Sequence, residues 1–385
     1  MLKTFLSLLF LQPTKFLYLS FFCFASAIGI NLVTFPTLLK SNKINPSQIG
    51  LAFGVEILGV AIMSFFLSKL AGKIGIIKSI KYAAIIYSSI ILISFFYYNY
   101  FWWLFLVFIL GCCWLVMAIT RISWLNNMVS TEDRGVALGI FSALISLGVA
   151  FGPVVVKIFG ASSYWSFLTS ATLVLMAFLS IIPLKKHLDF HINSQRISLK
   201  EFYKKNPNNF WSRFFLDFTT YVIVSLSVVF GISIGFSPEL SGLFITAYMA
   251  SGFFDIIVGF ILKKVSAKKL INIGFLGCLY CFLLVSLYQK SYPFLILLFF
   301  IFGLFIACIY VSVFKMMNDD YSAQELVSAN ATFQLVGTCG SIFGTIIGGL
   351  MIEYFGAQGF PIIICFGALF YLTFFVIYEK TKKYN

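Results

Sequence analysis

Three of the chain's 13 carboxylates, Glu56, Asp217 and Asp255, lie inside long apolar runs. An ionised side chain in a bilayer costs about 2.5–3.5 kcal/mol on insertion scales, so each of these calls for a partner or a purpose. Glu56 is the deepest, about eight residues or roughly 12 Å into its run and close to a bilayer midplane. Such a group can carry a proton or bind a cation, or it can be a structural carboxylate paired with Lys, Arg or a backbone donor. Asp217 has Arg213 at i−4 as an available partner, and Asp255 precedes Lys263 by two helical turns, so ion pairing is the expected role of both. Arg121 ends its apolar run, where it can attract an anion or snorkel to the water; snorkelling is the favoured reading. Lys157 is expected to snorkel at the opposite side. Uncharged groups able to contact a solute are Asn31, Tyr221, Tyr248 and Gln334, and Trp114 offers a ring for stacking.

Other chemistry is poorly represented. Cys278-x-x-Cys281 has no second Cys or His pair near it, so two small residues on one helix face explain it better than a metal site. His187 and His191 bracket Asp189 at i, i+4 spacing, short of a ligand set. The eight cysteines fall inside apolar runs, which argues against a disulfide framework. No Ser-His-Asp arrangement and no Walker-type glycine loop emerges, so neither an enzyme nor a cofactor is expected, and no metal.

The elements that hold these residues are set by composition. Of 385 residues, 61% are hydrophobic and 10% charged, with a mean hydropathy of +0.99. A soluble chain cannot cover itself with so few polar groups, so the apolar surface must face a lipid bilayer. The polar breaks delimit twelve predicted spans: 16–38, 49–70, 82–98, 101–122, 136–159 and 164–183, then 210–235, 241–262, 270–288, 293–314, 326–351 and 360–378. With the N-terminus inside, about 23 of the 27 Lys and Arg fall on cytoplasmic segments and about 4 outside, an asymmetry that favours both termini in the cytoplasm. The net charge of +14 is then a topology signal, and no nucleic-acid partner is needed to explain it. Thr4–Leu11 reads as a retained interfacial lead-in, because no small-residue cleavage site follows.

Spans 2–5 and 8–11 match at a nearly constant offset of about 192 residues. Asn45-Pro46 corresponds to Ser237-Pro238, Gly50-Leu51 to Gly242-Leu243, Asn126 to Asn318, Asp133 to Glu325, and Gly148 and Gly152 to Gly340 and Gly344. The chain therefore reads as two related six-helix halves, 1–183 and 210–385, joined by a basic cytoplasmic linker, 184–209.

These positions carry a family resemblance. The stretch from Lys69 through Gly72, Lys73 and Gly75 to Lys78, and that from Gly259 through Lys263 and Lys264 to Lys269, resemble the inter-helix signature of the major facilitator superfamily. The Asp of that signature, implied by the family to join an electrostatic latch, is Gly72 in one half and Lys263 in the other. Gly139, Gly148 and Gly152-Pro153 on span 5 resemble the superfamily's motif C, often found in antiporters, with Val156 in place of its last glycine. Small residues there permit close helix packing whatever the transport direction. Ser123-Trp124-Leu125-Asn126 with Arg134-Gly135, and the stretch Tyr310 to Gly344, resemble the YcaD-type branch, with Ile122 and Val311 where that branch often has Glu and Pro.

The resemblance implies an all-α fold of two pseudo-symmetric six-helix bundles, with spans 1, 4, 7 and 10 lining a central cavity, which favours Asn31 and Tyr221 among the uncharged groups. It implies a monomeric secondary transporter of a small-molecule solute in the cytoplasmic membrane, working by alternating access without ATP. A site so poor in charge suits an amphipathic or neutral solute. Proton-coupled export, uptake by the same fold, and a receptor that binds without transport remain the open readings, with a proton as co- or counter-ion.

Overall fold

The computed structural model describes residues 14–96, 99–128, 134–187, 198–321 and 325–384. No strand occurs among them. The helices are α1 (Thr14–Ser41), α2 (Pro46–Ile74), α3 (Ile76–Phe95), α4 (Tyr100–Met128), α5 (Arg134–Phe159) and α6 (Tyr164–Leu179), then α7 (Leu199–Lys205), α8 (Pro207–Ser233), α9 (Pro238–Ala250), α10 (Phe254–Ile261), α11 (Ala267–Leu287), α12 (Tyr292–Asp320), α13 (Leu326–Phe355) and α14 (Gly359–Tyr384). Eleven described stretches are long and apolar enough to cross a membrane. The last of them, Ala329–Thr381, holds both α13 and α14, parted by a 3₁₀ turn at Gly356–Gln358, so the spans number twelve. Large apolar side chains such as Phe101, Ile158, Leu287 and Tyr354 stand exposed, as lipid contact allows.

The helix ends follow from local chemistry. Ser163, Ser237 and Ser266 accept backbone N–H bonds as N-caps of α6, α9 and α11, and Asn206 caps α8, which opens with Pro207. Gly75 separates α2 from α3 at φ 84°, a backbone conformation that other residues rarely adopt. That is the physical need behind this glycine of the loop motif.

The chain divides into two compact units, residues 1–42 with 55–193 and residues 43–54 with 194–385. In the first, α1 packs on α5 and α6, and α3 on α4 and α6. A Cβ at Gly148 would meet Ala25 and the Phe22 carbonyl, and one at Gly152 would meet the backbone of Gly29. Pro153 lacks the N–H that would bond the Val149 carbonyl, and Gly29 of α1 lies directly against that carbonyl. The span 5 glycines are therefore packing residues, fitted to α1 where the proline breaks the ladder.

In the second unit α8 packs on α13, α9 and α14, while α12 contacts α9, α10 and α11. Gly340 lies against the Phe214 carbonyl and Gly344 against that of Phe218. Gly148 with Phe22 and Gly340 with Phe214 thus stand at the same sequence offset, and the repeat read from the sequence is repeated in the helix contacts. Within this unit the start of α2 meets α13: Ser47 donates its N–H and its hydroxyl to Glu353, and Gly50 faces the Thr345 carbonyl.

The structure adds three details to these expectations. Predicted span 8 runs as one stretch, Pro238–Ile261, in which a 3₁₀ turn, Ser251–Phe253, joins α9 to α10. There Ser251 donates to the Tyr248 carbonyl (2.6 Å) and packs against Gly303 of α12. The linker 184–209 is not all loop: Ile182–His187 is 3₁₀, α7 is a capped helix, and α8 starts at Pro207. Several helices outrun their apolar segments, α2, α4, α12 and α14 among them, since helical hydrogen bonding continues past the edge of the hydrocarbon. Thr4–Leu11, Asp133, Asp189 and His191 lie outside the described residues, as do the side chains of Trp124, Asn126 and Arg134.

Candidate functional site

Each unit holds its own group of buried polar residues. In the first, Asn31 on α1 is buried and its Oδ1 accepts a hydrogen bond from Ser170 of α6 (2.7 Å). Ser170 also donates to the Ala27 carbonyl (3.2 Å), so α1 and α6 are joined at this level. Tyr87 of α3 is buried beside Asn31 and within electrostatic reach of Glu56. Glu56 itself is half-buried, and no ion pair or hydrogen bond reaches its carboxylate among the described residues. Its backbone is held tightly, because Gly111 of α4 lies against the Glu56 carbonyl and Gly59 against that of Phe108. Among the described residues the paired reading of Glu56 finds no partner.

Arg121 overturns its favoured reading. It does not snorkel: α4 runs on to Met128, and the residue is 0% exposed. Its guanidinium lies 4.8 Å from the Phe24 ring centroid, and Phe24 in turn meets Tyr87 edge-on at 5.8 Å. Asn31, Glu56 and Arg121 are thereby gathered around Phe24 and Tyr87, two residues absent from the sequence reading. Trp114 is half-buried on α4 and takes no part in this group. Lys157, near the end of α5, is exposed.

In the second unit Arg213 is the hub. It is 5% exposed, its Nη2 lies 2.7 Å from Asp217 Oδ2, and it donates to Gln334 Oε1 of α13 at 2.9 Å. Its guanidinium also lies 4.6 Å from the Phe333 ring and 5.4 Å from that of Phe314. Gly337 makes this possible, because a Cβ there would strike both Asp217 and Arg213. Tyr248 is buried and within electrostatic reach of Asp217 and Asp255. The anticipated Asp255–Lys263 pair does not form: Lys263 is exposed with its ammonium 5.2 Å from the Phe260 ring, and it lies past the end of α10 at Ile261, outside the helical register the pair required. Asp255 has no ion pair among the described residues. Tyr221 is half-buried on α8.

The repeat relates the two groups. Glu56 and Tyr248 occupy equivalent positions, each with its carbonyl against a glycine of the neighbouring helix, Gly111 and Gly303. The Arg213–Asp217 pair has no counterpart, since Phe21 and Ala25 stand at the matching positions. In the motif loops Lys73 and Lys264 are exposed, and Gly72 and Gly139 lie in α2 and α5. Cys278 and Cys281 are buried in α11, all eight cysteines are free, and no group of three or more His, Cys, Asp or Glu close enough to hold a metal ion is found among the described residues.

Comparison with known proteins places this arrangement. An MFS-type transporter of Bacillus subtilis (strain 168), YfkF, is 22% identical over 240 residues, which cover 60% of this chain and 61% of that protein. The crystal structure of the nucleoside transporter NupG superposes with a TM-score of 0.79 at 15% identity, covering 96% of this chain and 99% of that one. A bacterial homologue of the human lysosomal transporter Spinster, in an inward-facing and occupied conformation, gives 0.73 at 15% identity over 94% of each chain. The family model of the Major Facilitator Superfamily matches residues 17–233 and again 210–385. The chain belongs to the Major Facilitator Superfamily of membrane transporters, an integral multi-pass membrane protein and not an enzyme.

Proposed function

We propose that this transporter is a proton-coupled secondary transporter of the cytoplasmic membrane, exporting a small solute as a monomer, with both termini inside. Glu56 carries the proton, and Asp255 is the second coupling candidate. Asp217 is instead the structural partner of Arg213. One observation carries the reading: Glu56 is a carboxylate inside a span with no ion pair or hydrogen bond among the described residues, beside the buried Tyr87 and Asn31. A residue kept at such cost without a partner is suited to load and release a proton. The span 5 glycines favour export only through the resemblance to antiporters, so direction needs its own measurement.

The test is untargeted metabolite profiling of cells lacking and overproducing the protein, which identifies solute and direction together. The identified solute is then followed in proteoliposomes. Glu56→Gln is expected to abolish accumulation driven by a pH gradient while solute counterflow persists, because exchange needs no net proton movement. Unchanged gradient-driven flux in that variant removes Glu56 from the mechanism.

A further inference from the structure

Among the described residues two arginines are buried, one in each unit, and they differ in how many acceptors they meet. Arg213 has a carboxylate at 2.7 Å, an amide oxygen at 2.9 Å and two aromatic rings. Arg121 is 0% exposed, yet its Nε, Nη1 and Nη2 have no acceptor among the described residues. Its one described charge-compensating contact is the Phe24 ring at 4.8 Å. A cation over a ring gains about 0.5–2 kcal/mol, whereas taking a charge out of water costs several kcal/mol. The ring alone does not balance the burial. Nor does the unit supply the missing anion: Glu56, its one described carboxylate, acts on Tyr87, while the titratable group that acts on Arg121 is the Cys23 thiol.

A guanidinium offers N–H donors in a rigid planar fork, which matches the two oxygens of a carboxylate or phosphate. We propose that Arg121 receives the anionic group of the transported solute, so that the solute class is a small molecule bearing a carboxylate or phosphate. Phe24 holds the guanidinium plane from one side and leaves the edges of the fork for the anion. Arg213 meets internal acceptors at its Nη2 while its Nε and Nη1 have none, whereas Arg121 has an internal acceptor at no nitrogen among the described residues; the acceptor for Arg121 arrives with the solute. This inference rests on the transporter reading and narrows the neutral or amphipathic solute suggested by the scarcity of charge.

The test uses the full chain reconstituted in liposomes and exposed to a cell metabolite extract, with protein-free liposomes as reference and mass spectrometry as readout. With wild-type protein the solutes that cross are expected to carry a carboxylate or phosphate. Arg121→Gln is expected to lower their flux about tenfold or more, as loss of a charged hydrogen-bond donor should. Arg121→Lys, which keeps the charge but not the fork, should fall between. The inference is overturned if the solutes moved by wild-type protein lack an oxyanion, or if a monodisperse Arg121→Gln moves them at the wild-type rate. Should the variants aggregate, the chemical class moved by wild-type protein still decides. If wild-type protein moves nothing, the transporter reading falls and this inference with it, an outcome distinct from transport of neutral or cationic solutes.

Discussion

At the scale of single residues, the buried arginines and carboxylates divide by whether they are paired. Arg213 and Asp217 form a closed pair with Gln334, and removing one member leaves the other's charge stranded. Asp217→Asn is therefore expected to destabilise the protein by about 3–5 kcal/mol, the usual cost of breaking a buried pair from one side. A thermal melt of the purified protein in detergent checks this, and a melting temperature within a degree of wild type would mean that Gln334 and the Phe333 ring suffice for Arg213. The i, i+4 spacing of Arg213 and Asp217 was legible in the sequence. Gln334, which completes the group from α13, reads in the sequence as a group able to contact a solute, and nothing in the sequence marks Gly337, which clears space for the pair. Spacing along one helix is visible in a sequence, whereas a neighbouring helix that must be bare at one point is not. The burial of Arg121 is hidden from the sequence for a related reason. The apolar run ends beside it, but α4 continues to Met128, so the side chain stays inside.

At the scale of helices, the contacts that repeat are those made through glycine. Gly148 of α5 against α1 and Gly340 of α13 against α8 place backbone against backbone, and a methyl group at either would meet a carbonyl of the partner helix. Gly148→Ala and Gly340→Ala are each expected to cost about 1–3 kcal/mol from overpacking, and to do so similarly because the two contacts are related by the repeat. Melting temperatures in detergent decide, and a neutral Gly148→Ala beside a damaging Gly340→Ala would break that equivalence. Helix α7 is a different device. Ser198 and Glu201 form a capping box, and Phe202 stacks on Tyr321 at 5.7 Å with the rings nearly parallel. Lys205 pairs with Glu325 at 3.5 Å, and Asn206 donates to Asp320 at 2.6 Å. Burial, with Asp320, Glu325 and Glu201 nearby, pushes the Tyr321 hydroxyl up to about 12, so it stays neutral under Lys205. Phe202→Ala should release α7 from the second unit, with exchange of its amides faster by about a hundredfold for a loss near 3 kcal/mol. The hydrogen bonds from Ser198 hold the Glu201 carboxyl below its ordinary value. Its contribution is present above the unfolded value and is lost as the pH falls through the lower folded one, so α7 protection should weaken on acidification. Ser198-x-x-Glu201 was a readable start signal for this helix, hidden because the run that follows is only seven residues long.

For the whole molecule, the twelve spans were legible because each is long, apolar and bounded by polar residues, and a bilayer tolerates little else. The 3₁₀ turn in span 8 was not legible, since Ser251-Gly252 resembles many helix-compatible pairs and the turn packs against Gly303 on another helix. Orientation is a separate matter, carried by charge. About 23 of the 27 Lys and Arg fall on one set of loops, and basic residues near span ends resist crossing the membrane, so that set should be cytoplasmic. The four exceptions include Lys43, between α1 and α2, and Lys290, between α11 and α12, whereas Lys264 lies between α10 and α11. Single cysteines placed at these exposed positions, in a chain whose native cysteines are replaced, report the side directly. In intact cells Lys43→Cys and Lys290→Cys should react with a membrane-impermeant maleimide, and Lys264→Cys should react only after permeabilisation. Labelling of Lys264→Cys in intact cells would reverse the orientation, and the net charge would then lose its explanation as a topology signal. Labelling at Lys43 but not at Lys290 would contradict the repeat instead, because two halves with the same orientation must present these two loops to the same side.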